Sequence, residues 1–534
     1  MDPFLIIVAL GGAASLAAPV SLLYQNHLLK HSSRNAIHLD GKGETEKAIR
    51  YLRWVLFCLP PKPATNRINP QIMLGTMCLR AERFAEGEAY LRTALSGCSL
   101  LKKPNAIGAI EARIRINIAN ALEAQGNVDG GTAERDIATN CLLKEEIRDH
   151  SWHLLRALDL KQRRQYAEAV TEYWIGLQNL PPSIPASQRG HEIIDLASCL
   201  MEMEHATASL FYLEKSLTCS LPSSTLMYVY FLMASQFRSL NRLEDAEHSY
   251  RAAVEARTGK DRDGSVLDEI HQWQIGDAQL LRGDLQNARQ TLSTFADSVG
   301  TADSIGAELL ASDLEMWEGN FSSSLERVRR LRQSITGGSF ALHWQKMLPS
   351  LDVYLRLRTV CLHLLLREPE NALAELENVL PKEDGVQRWN WEAFEISALA
   401  YSETAMDSQR KTELQGRVLT IKRLIETDFT RRISEGAEPA DADAALRVVV
   451  DNLIYAALSL EMYEVALDLC QRYLEMNPYP VNIPEIYCRL GECQAALGNC
   501  NDARAAWQTA VNFGIDTYES QIAKEKLTAL RNAD

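Results

Sequence analysis

The feature that most constrains the fold of this chain is a spacing pattern that returns about every forty residues. A small residue is followed nine positions later by an aromatic residue or leucine, three later by a second small residue, and four later by a large apolar residue. The clearest copy consists of Ala157, Tyr166, Ala169 and Tyr173. A repeat of this length predicts an array of similar supersecondary units. In successive copies the second small residue is Ala48, Gly87, Gly131, Ala169, Ser209, Ala246, Ala288, Ser324, Ala372, Ala466 and Ala503.

Composition and turn residues indicate that each unit is a pair of helices. Ala, Leu, Glu and Arg, which favour helices, dominate the chain, and long runs of Val, Ile and Thr are scarce. One helix pair cannot bury its own apolar face, whereas stacked pairs bury a continuous core. We therefore predict an all-α fold. A helix-ending glycine followed by a polar residue separates the two halves of four units, at Gly126-Asn127, Gly283-Asp284, Gly319-Asn320 and Gly498-Asn499.

These recurring positions resemble those of the tetratricopeptide repeat (TPR), over most of residues 33–533. The resemblance implies a right-handed superhelical α-solenoid of helix-turn-helix units, in which the first helix of each unit lines a concave groove. Most spacings here are near forty residues, longer than the ~34 of a regular TPR, which predicts longer helices or longer loops. The interval between Ala372 and Ala466 has room for a divergent unit, which we place at Trp391 to Ile425.

An acidic, turn-rich stretch divides the predicted array near its C-terminal end. Residues 436–445 read GAEPADADAA, and we predict that they form a loop. The expected organisation is an N-terminal transmembrane anchor over 1–30, a TPR-like solenoid over 31–435, the acidic loop, and C-terminal TPR-like repeats over 446–534.

The anchor is predicted from an uncharged apolar stretch over residues 4–23. As a helix, this stretch is ~30 Å long, which matches the hydrocarbon core of a bilayer. No Lys or Arg precedes it, whereas a signal peptide needs a positive n-region. The Lys and Arg residues that follow it place the repeat body in the cytoplasm by the positive-inside rule. We therefore predict a single-pass membrane protein; cleavage of a signal peptide near Ala18 is the alternative.

The charge balance and the absence of known motifs reduce the number of function classes that this sequence supports. The net charge is −14, the opposite of the basic footprint of nucleic-acid-binding proteins, so no nucleic acid partner is expected. The eleven cysteines contain no C-x-x-C pair, so no metal site is predicted. Neither a phosphate-binding glycine loop nor a nucleophile elbow is present. We expect no catalytic residues, no cofactor and no enzymatic activity.

The TPR resemblance also implies which side chains face the concave groove. Aromatic and Arg residues on first helices are the types that anchor bound peptides. An error of one position in helix phase would place Tyr228, Phe231 and Trp273 in the core instead. The candidate protein-binding residues are Arg113, Asn117, Asn120, Leu154, Lys161, His191, Tyr228, Phe231, Arg238, Trp273 and Asp277.

Together these features predict a membrane-anchored scaffold that binds proteins or peptides through its helical groove and contacts the bilayer through residues 4–23. Two alternatives remain open. One is an exported structural subunit of an envelope complex that is released by a signal peptidase. The other is an enzyme with an unrecognised site, which would require a closed pocket with convergent His, Asp or Glu side chains.

Overall fold

The computed structural model of the protein contains only helices, turns and irregular segments in the part of the chain that it describes, so the all-α prediction is confirmed there. Among the described residues, none of the helices combines the length and the apolarity needed to span a bilayer. The predicted anchor at residues 4–23 lies outside them. The described residues are 32, 35, 36, 39, 45–59, 64–98, 107–143, 149–256, 266–294, 305–337, 342–377, 385–402 and 406–533.

Unit 1, the first of two compact units, comprises Met1–Met203 and Lys215–Ser224. Up to Glu202, its described helices follow one another as antiparallel hairpins, and consecutive helices pack on each other. A short 3₁₀ helix at Ala64–Arg67 precedes the second helix. The helices are α1 (Thr45–Cys58), α2 (Ile68–Arg80), α3 (Phe84–Cys98), α4 (Ile107–Ala124), α5 (Val128–Leu143), α6 (His150–Gln162), α7 (Tyr166–Gln178) and α8 (Ala186–Glu202), and α9 (Ala206–Leu217) has residues in both units.

Unit 2 comprises Glu204–Glu214 and Thr225–Asp534, and α10 begins just before its second segment. A 3₁₀ helix at Pro480–Asn482 leads into α22. The helices are α10 (Ser223–Ser239), α11 (Leu243–Glu255), α12 (Val266–Leu281), α13 (Leu285–Ser293), α14 (Ile305–Trp317), α15 (Phe321–Gly337), α16 (Leu342–Leu365), α17 (Pro369–Leu376), α18 (Val386–Ser402), α19 (Ser408–Ser434), α20 (Pro439–Ser459), α21 (Tyr463–Glu475), α22 (Ile483–Ala496), α23 (Cys500–Asn512) and α24 (Tyr518–Ala533).

The turn inside a hairpin has the same geometry in both units. At the end of α4 the chain passes through a left-handed residue, and the next amide, that of Asn127, donates to the Leu122 carbonyl at 2.9 Å. This bond satisfies one of the carbonyls that a helix end leaves without a partner. The four glycines predicted to mark such turns all have positive φ, at Gly126 (84°), Gly283 (84°), Gly319 (83°) and Gly498 (83°).

The small residues of the repeat lie where the two helices of a hairpin approach most closely. A Cβ on Gly176 would lie 2.8 Å from the Leu154 side chain. Where serines replace glycine and alanine, Ser312 and Ser324 hydrogen-bond to each other at 2.8 Å across the interface. The large residue of the repeat fills the space beside them, as Tyr173 does with only 1% of its surface exposed. The repeat pattern therefore identified the hairpin interfaces correctly.

The divergent unit predicted between Ala372 and Ala466 contains α18 and α19, and α18 packs mainly against α20 rather than against α19. Helix α19 is 27 residues long, about twice the length of the other second helices. Its apolar residues, among them Val418, belong to one core cluster with Trp389 of α18 and Leu453 of α20. The longer helix explains why the repeat spacing fails in this region.

The predicted loop over 436–445 is shorter than expected, because only residues 436–438 of it connect the helices and α20 begins at Pro439. Proline is favourable at the first helical position, and a carboxylate such as that of Asp441 is favourable in the first turn. The same residues are common in loops, which explains the misreading. One hydrophobic core cluster also contains residues from both before and after this segment. The described chain therefore does not divide into arrays over 31–435 and 446–534; its two compact units part between Met203 and Thr225.

In unit 2, early helices contact helices that come much later in the sequence. We call these contacts the closure contacts. The Thr207 hydroxyl donates to Asp441 at 3.0 Å, over a separation of 234 residues. The Asn241 side chain donates to the Pro478 carbonyl at 2.8 Å, over 237 residues. Both bonds join the beginning of unit 2 to segments more than 200 residues later in the sequence. Two apolar contacts complete the set: Ile515 with Gly283, and Tyr518 with Phe321.

Candidate functional site

A row of charged side chains lies deep within unit 2, on helices that come first in their hairpins. Arg238 of α10 pairs with Asp277 of α12 at 2.7 Å. Asp313 of α14 pairs with Arg358 of α16, and Tyr354 donates a long hydrogen bond of 3.5 Å to Asp313. The charge of Asp277 also acts on Asp313. The two ion pairs therefore lie close enough on four helices for their charges to interact.

The row continues on α20 and α22 with a cluster centred on Arg489. The guanidinium bonds to Glu485 and, at 3.2 Å, to Asp451. It also lies over the Tyr455 ring, 3.3 Å from the centroid, and the Tyr455 hydroxyl donates to Glu485. Arg489 is only 6% exposed. A buried guanidinium with two carboxylates and an aromatic ring is held in one orientation. We call these four residues the Arg489 cluster.

Several residues of the row are enclosed by protein and still in contact with solvent. Tyr354 and the Arg238 side chain keep 38% and 42% of their surface exposed, although both lie in the interior of unit 2. Burial raises the pKa of Asp313 to about 6 and that of Asp451 to about 6. Burial, with the nearby charge of Glu485, raises the pKa of Glu519 to about 8. The interior of unit 2 is therefore a polar, solvent-containing space with several acids that titrate near neutrality.

Glu519 is expected to make the folded protein less stable as the pH rises. An acid whose pKa is lowered on folding has the opposite effect. Its folded-state pKa lies above the unfolded value of ~4.3, so the folded protein binds more protons between these values and loses stability as the pH rises through them. We expect the free energy of unfolding to fall by on the order of 1–2 kcal/mol from pH 6 to pH 8 because of this group. Glu519→Gln should flatten that fall in urea titrations. An equal fall in both proteins would contradict the assignment.

A cavity of about 510 Å³ opens beside the Arg489 cluster. The Arg367 guanidinium lies over the Tyr401 ring, 4.5 Å from its centroid. Among the described residues, no carboxylate pairs with Arg367, whereas Glu461 of the cavity wall pairs with Lys411 at 2.6 Å. The cavity therefore combines aromatic surface with an arginine available to an anion. Its walls are formed by Arg367, Tyr401, Tyr455, Leu458, Ser459, Glu461, Tyr463, Arg489, Glu492, Ala495, Ala496, Trp507 and Lys526.

The candidate residues predicted in unit 2 occupy three kinds of position. Arg238 and Asp277 belong to the charged row and pair with each other. Phe231 contacts the Tyr250 ring, and Trp273 packs partly buried against two core clusters. Tyr228 is 48% exposed. The structure thus brings the two charged candidates together and places the aromatic candidates at the edge of the core or on the surface.

In unit 1, two of the cationic candidates lie near the same carboxyl group. The charges of Arg113 and Lys161 both act on Glu192, whose pKa burial raises to about 7. Lys161 pairs with Asp195 at 2.7 Å. Arg113 is exposed and Asn117 is half-buried. This small polar face is formed by α4, α6 and α8.

The other unit 1 candidates make local contacts. The Asn120 amide oxygen accepts from Arg135 at 3.1 Å and from Gln162 at 3.0 Å, so it links three helices. His191 is exposed, and its Nδ1 donates to the Ser187 carbonyl at 2.7 Å. Leu154 is buried against Gly176 and contributes to packing. Whether any of these residues binds a ligand stays a prediction.

Sequence reasoning missed Arg367 and the Arg489 cluster. A usable signal was present for Asp451, because it is the single charge within the apolar helical run over residues 448–460. A charge at such a position is stable only when it is paired or solvated. Arg367 had no comparable signal, since it lies in a hairpin turn and its contact with Tyr401 joins two hairpins. Within the described residues, no group of three or more His, Cys, Asp or Glu side chains is arranged to hold a metal ion.

Comparison with known proteins gives structural similarity only. No protein-family model and no curated protein sequence matches this chain. The apo form of RapI is 11% identical, with 69% of this chain and 99% of that chain covered at a TM-score of 0.47. The APC/C hetero-tetramer Cut9-Hcn1 is 10% identical, with coverages of 95% and 97% at a TM-score of 0.34. Pseudomonas aeruginosa PilF is 14% identical, with coverages of 46% and 97% at a TM-score of 0.33. No function is inferred from similarities of this size.

Proposed function

We propose that this protein is a non-enzymatic scaffold that binds an extended segment of a partner protein, and that the cavity of unit 2 is its binding site. The observation that carries this proposal is the Arg367 guanidinium, stacked on Tyr401 at the edge of a 510 Å³ cavity with tyrosine and tryptophan side chains in its walls. Arginine and aromatic residues dominate the energetics of protein interfaces. A cavity of this size accommodates a few side chains of a bound peptide.

The charges around the cavity indicate the chemistry of the segment. Arg489 is held by Asp451 and Glu485, and Lys526 faces Glu492 at 3.3 Å, so their charges are largely compensated. Arg367 is therefore the cation that a ligand can engage. A stacked guanidinium presents its donors in one plane, which suits the two oxygens of a carboxylate. The partner segment is expected to carry an Asp, Glu or C-terminal carboxylate next to an apolar or aromatic side chain.

This proposal is tested by selecting random twelve-residue peptides against the purified full-length protein. We expect enrichment of a carboxylate beside an apolar residue. In the variant Arg367→Gln the Kd of selected peptides should rise about tenfold or more, because a charge-assisted hydrogen bond contributes about 1.5–3 kcal/mol. The matched control is Arg251→Ala, which removes an exposed positive charge on α11, outside the cavity wall.

Two outcomes would contradict the assignment of the site. Selected peptides without acidic residues, or an unchanged Kd in Arg367→Gln, would exclude Arg367 as the anchor. The double variant Arg113→Ala/Asn117→Ala tests the polar face of unit 1 in the same assay. A loss of binding in that variant alone would move the site to unit 1.

We further propose that residues 4–23 attach the scaffold to a membrane, with the repeat body on the cytoplasmic side. The support is the length and apolarity of the segment, together with the basic residues that follow it. Cell fractionation with N-terminal sequencing separates this proposal from export. An intact N-terminus in the membrane fraction supports the anchor, whereas a new terminus near Ala18 supports the exported subunit.

A further inference from the structure

An exposed aromatic surface lies on α1, near the N-terminal end of unit 1. Phe57 has 84% of its surface exposed, the largest fraction among the large apolar side chains that the structure describes. Arg50, Trp54 and Phe57 follow the helical spacing i, i+4 and i+7, so they share one face of α1. The Trp54 ring is half-buried, with its centroid 6.0 Å from that of the Tyr51 ring. We call Arg50, Trp54 and Phe57 the α1 outer face.

The opposite face of α1 packs into unit 1. Leu52 is fully buried in a core cluster with Ala36 and with Leu74 of α2. The Asn35 side chain donates a hydrogen bond of 3.1 Å to the Tyr51 hydroxyl. The chain around Asn35 is therefore fixed against α1, and the α1 outer face lies on the side of the helix away from Leu52.

Little chain separates α1 from the apolar segment at residues 4–23. Eight residues, 24–31, connect that segment to Ser32, which is only 1% exposed in unit 1. A fully extended chain of this length spans at most ~30 Å. If residues 4–23 cross a bilayer, as proposed above, α1 is therefore held close to the lipid headgroups.

The charge around α1 is opposite in sign to that of the whole chain. Residues 24–62 contain seven Lys or Arg and three Asp or Glu, whereas the whole chain has a net charge of −14. Lys47 and Arg50 are exposed on α1, and no acidic residue lies between Lys47 and Leu59. Anionic lipids attract basic residues at a membrane surface, and Trp is enriched at the level of the headgroups. Basic residues beside exposed Trp and Phe are typical of helices that lie in this interface.

We propose that the α1 outer face lies on an anionic phospholipid surface. Phe57 and Trp54 enter the boundary between headgroups and acyl chains, and Arg50 meets the lipid phosphates. Removal of the exposed Phe57 ring from water favours the contact on any lipid, and the basic residues make anionic lipids the preferred ones. The contact rests on the attachment through residues 4–23, and it fixes the orientation of the N-terminal hairpins of unit 1 on the bilayer.

The test places a photo-reactive residue on the α1 outer face of the full-length protein, as Phe57→p-benzoylphenylalanine. Because Phe57 is exposed, this change leaves the buried face of α1 intact. The protein is reconstituted in vesicles of phosphatidylcholine and phosphatidylglycerol, irradiated and digested with trypsin. We expect a lipid adduct on peptide 54–67, which contains position 57. In vesicles of phosphatidylcholine alone the adduct yield should be about fivefold lower, the effect of one basic residue at an anionic surface.

The matched control carries the same photo-reactive residue at Trp174. This aromatic side chain has 48% of its surface exposed on α7, the helix of unit 1 that corresponds to α1 in a later repeat. Its tryptic peptide is 165–189. We expect few or no lipid adducts on this peptide, since α7 comes three hairpins later in the array.

Flotation and a carbonate wash of the unirradiated sample distinguish failure of this contact from failure of the attachment. Protein that stays in the washed vesicles without an adduct at position 57, or with equal adducts at positions 57 and 174, would overturn the contact and leave the attachment standing. An adduct at position 57 on protein that the wash removes would support the contact and contradict a spanning segment. Equal yields in the two kinds of vesicle would overturn the role of anionic lipid. Cross-linking of position 57 to a protein in intact cells, without a lipid adduct, would assign the face to a protein partner instead.

Discussion

Replacing Arg489 by methionine is expected to lower the free energy of unfolding of unit 2 by about 3–5 kcal/mol. Methionine keeps much of the side-chain volume but removes the charge. Asp451 and Glu485 would then be buried carboxylates without their guanidinium partner, and the stacking on Tyr455 would be lost. Urea denaturation of the full-length protein, followed by circular dichroism at 222 nm, measures the change.

The control for this prediction removes the charges together. The triple variant Arg489→Met/Asp451→Asn/Glu485→Gln should recover most of the lost stability, because a buried ion pair costs nearly as much desolvation energy as its attraction returns. Non-additivity of this kind is expected for residues in one network. A loss below about 1 kcal/mol in Arg489→Met would indicate that the cluster behaves like a solvent-exposed ion pair.

The second large effect is expected from a single methyl group at Gly491. A Cβ at this position would lie 2.6 Å from Cδ1 of Trp507. The indole cannot move away freely, because its Nε1 donates to the Cys488 carbonyl at 3.0 Å. Gly491→Ala should therefore destabilise unit 2 by about 1–3 kcal/mol through overpacking, despite the higher helix propensity of alanine.

Gly416 provides a matched control for this substitution. It lies inside α19, and a Cβ there would meet no atom within 4 Å. Gly416→Ala should stabilise the protein by about 1 kcal/mol, because alanine is the better helix former. Thermal unfolding of the two variants should show Tm shifts of opposite sign. Shifts of the same sign would mean that backbone propensity, rather than the contact with Trp507, decides the effect at Gly491.

The sequence predicted the interior of each hairpin well, because helical periodicity determines which residues of two adjacent helices meet. Ala169 and Tyr173 are buried as the repeat spacing requires. Contacts between one hairpin and the next could not be predicted in this way. The stacking of Arg367 on Tyr401 depends on how one hairpin is rotated against the next. Periodicity within a hairpin contains no information about that rotation.

The candidate site was predicted only in part. Arg238 and Asp277 were identified because they lie near the small residues Ala234 and Gly276 on first helices, and they do pair. The Arg489 cluster was missed, because the candidates were drawn only from the repeats up to Asp277 and the cluster lies on later ones. The start of α20 around Asp441 was predicted as a loop because of its local sequence. Proline and acidic residues favour loops and helix starts equally, and only the tertiary contact with Thr207 distinguishes the two.

The closure contacts have a consequence for how unit 2 folds. In an open solenoid each repeat contacts only its neighbours, so structure can spread from any point and the terminal repeats fray first. The bonds from Thr207 to Asp441 and from Asn241 to Pro478 close loops of more than 200 residues. Chain entropy opposes such contacts until the intervening hairpins are ordered. Closure is therefore expected as the last kinetic step, after which the C-terminal helices exchange their amide hydrogens together with the hairpins they touch.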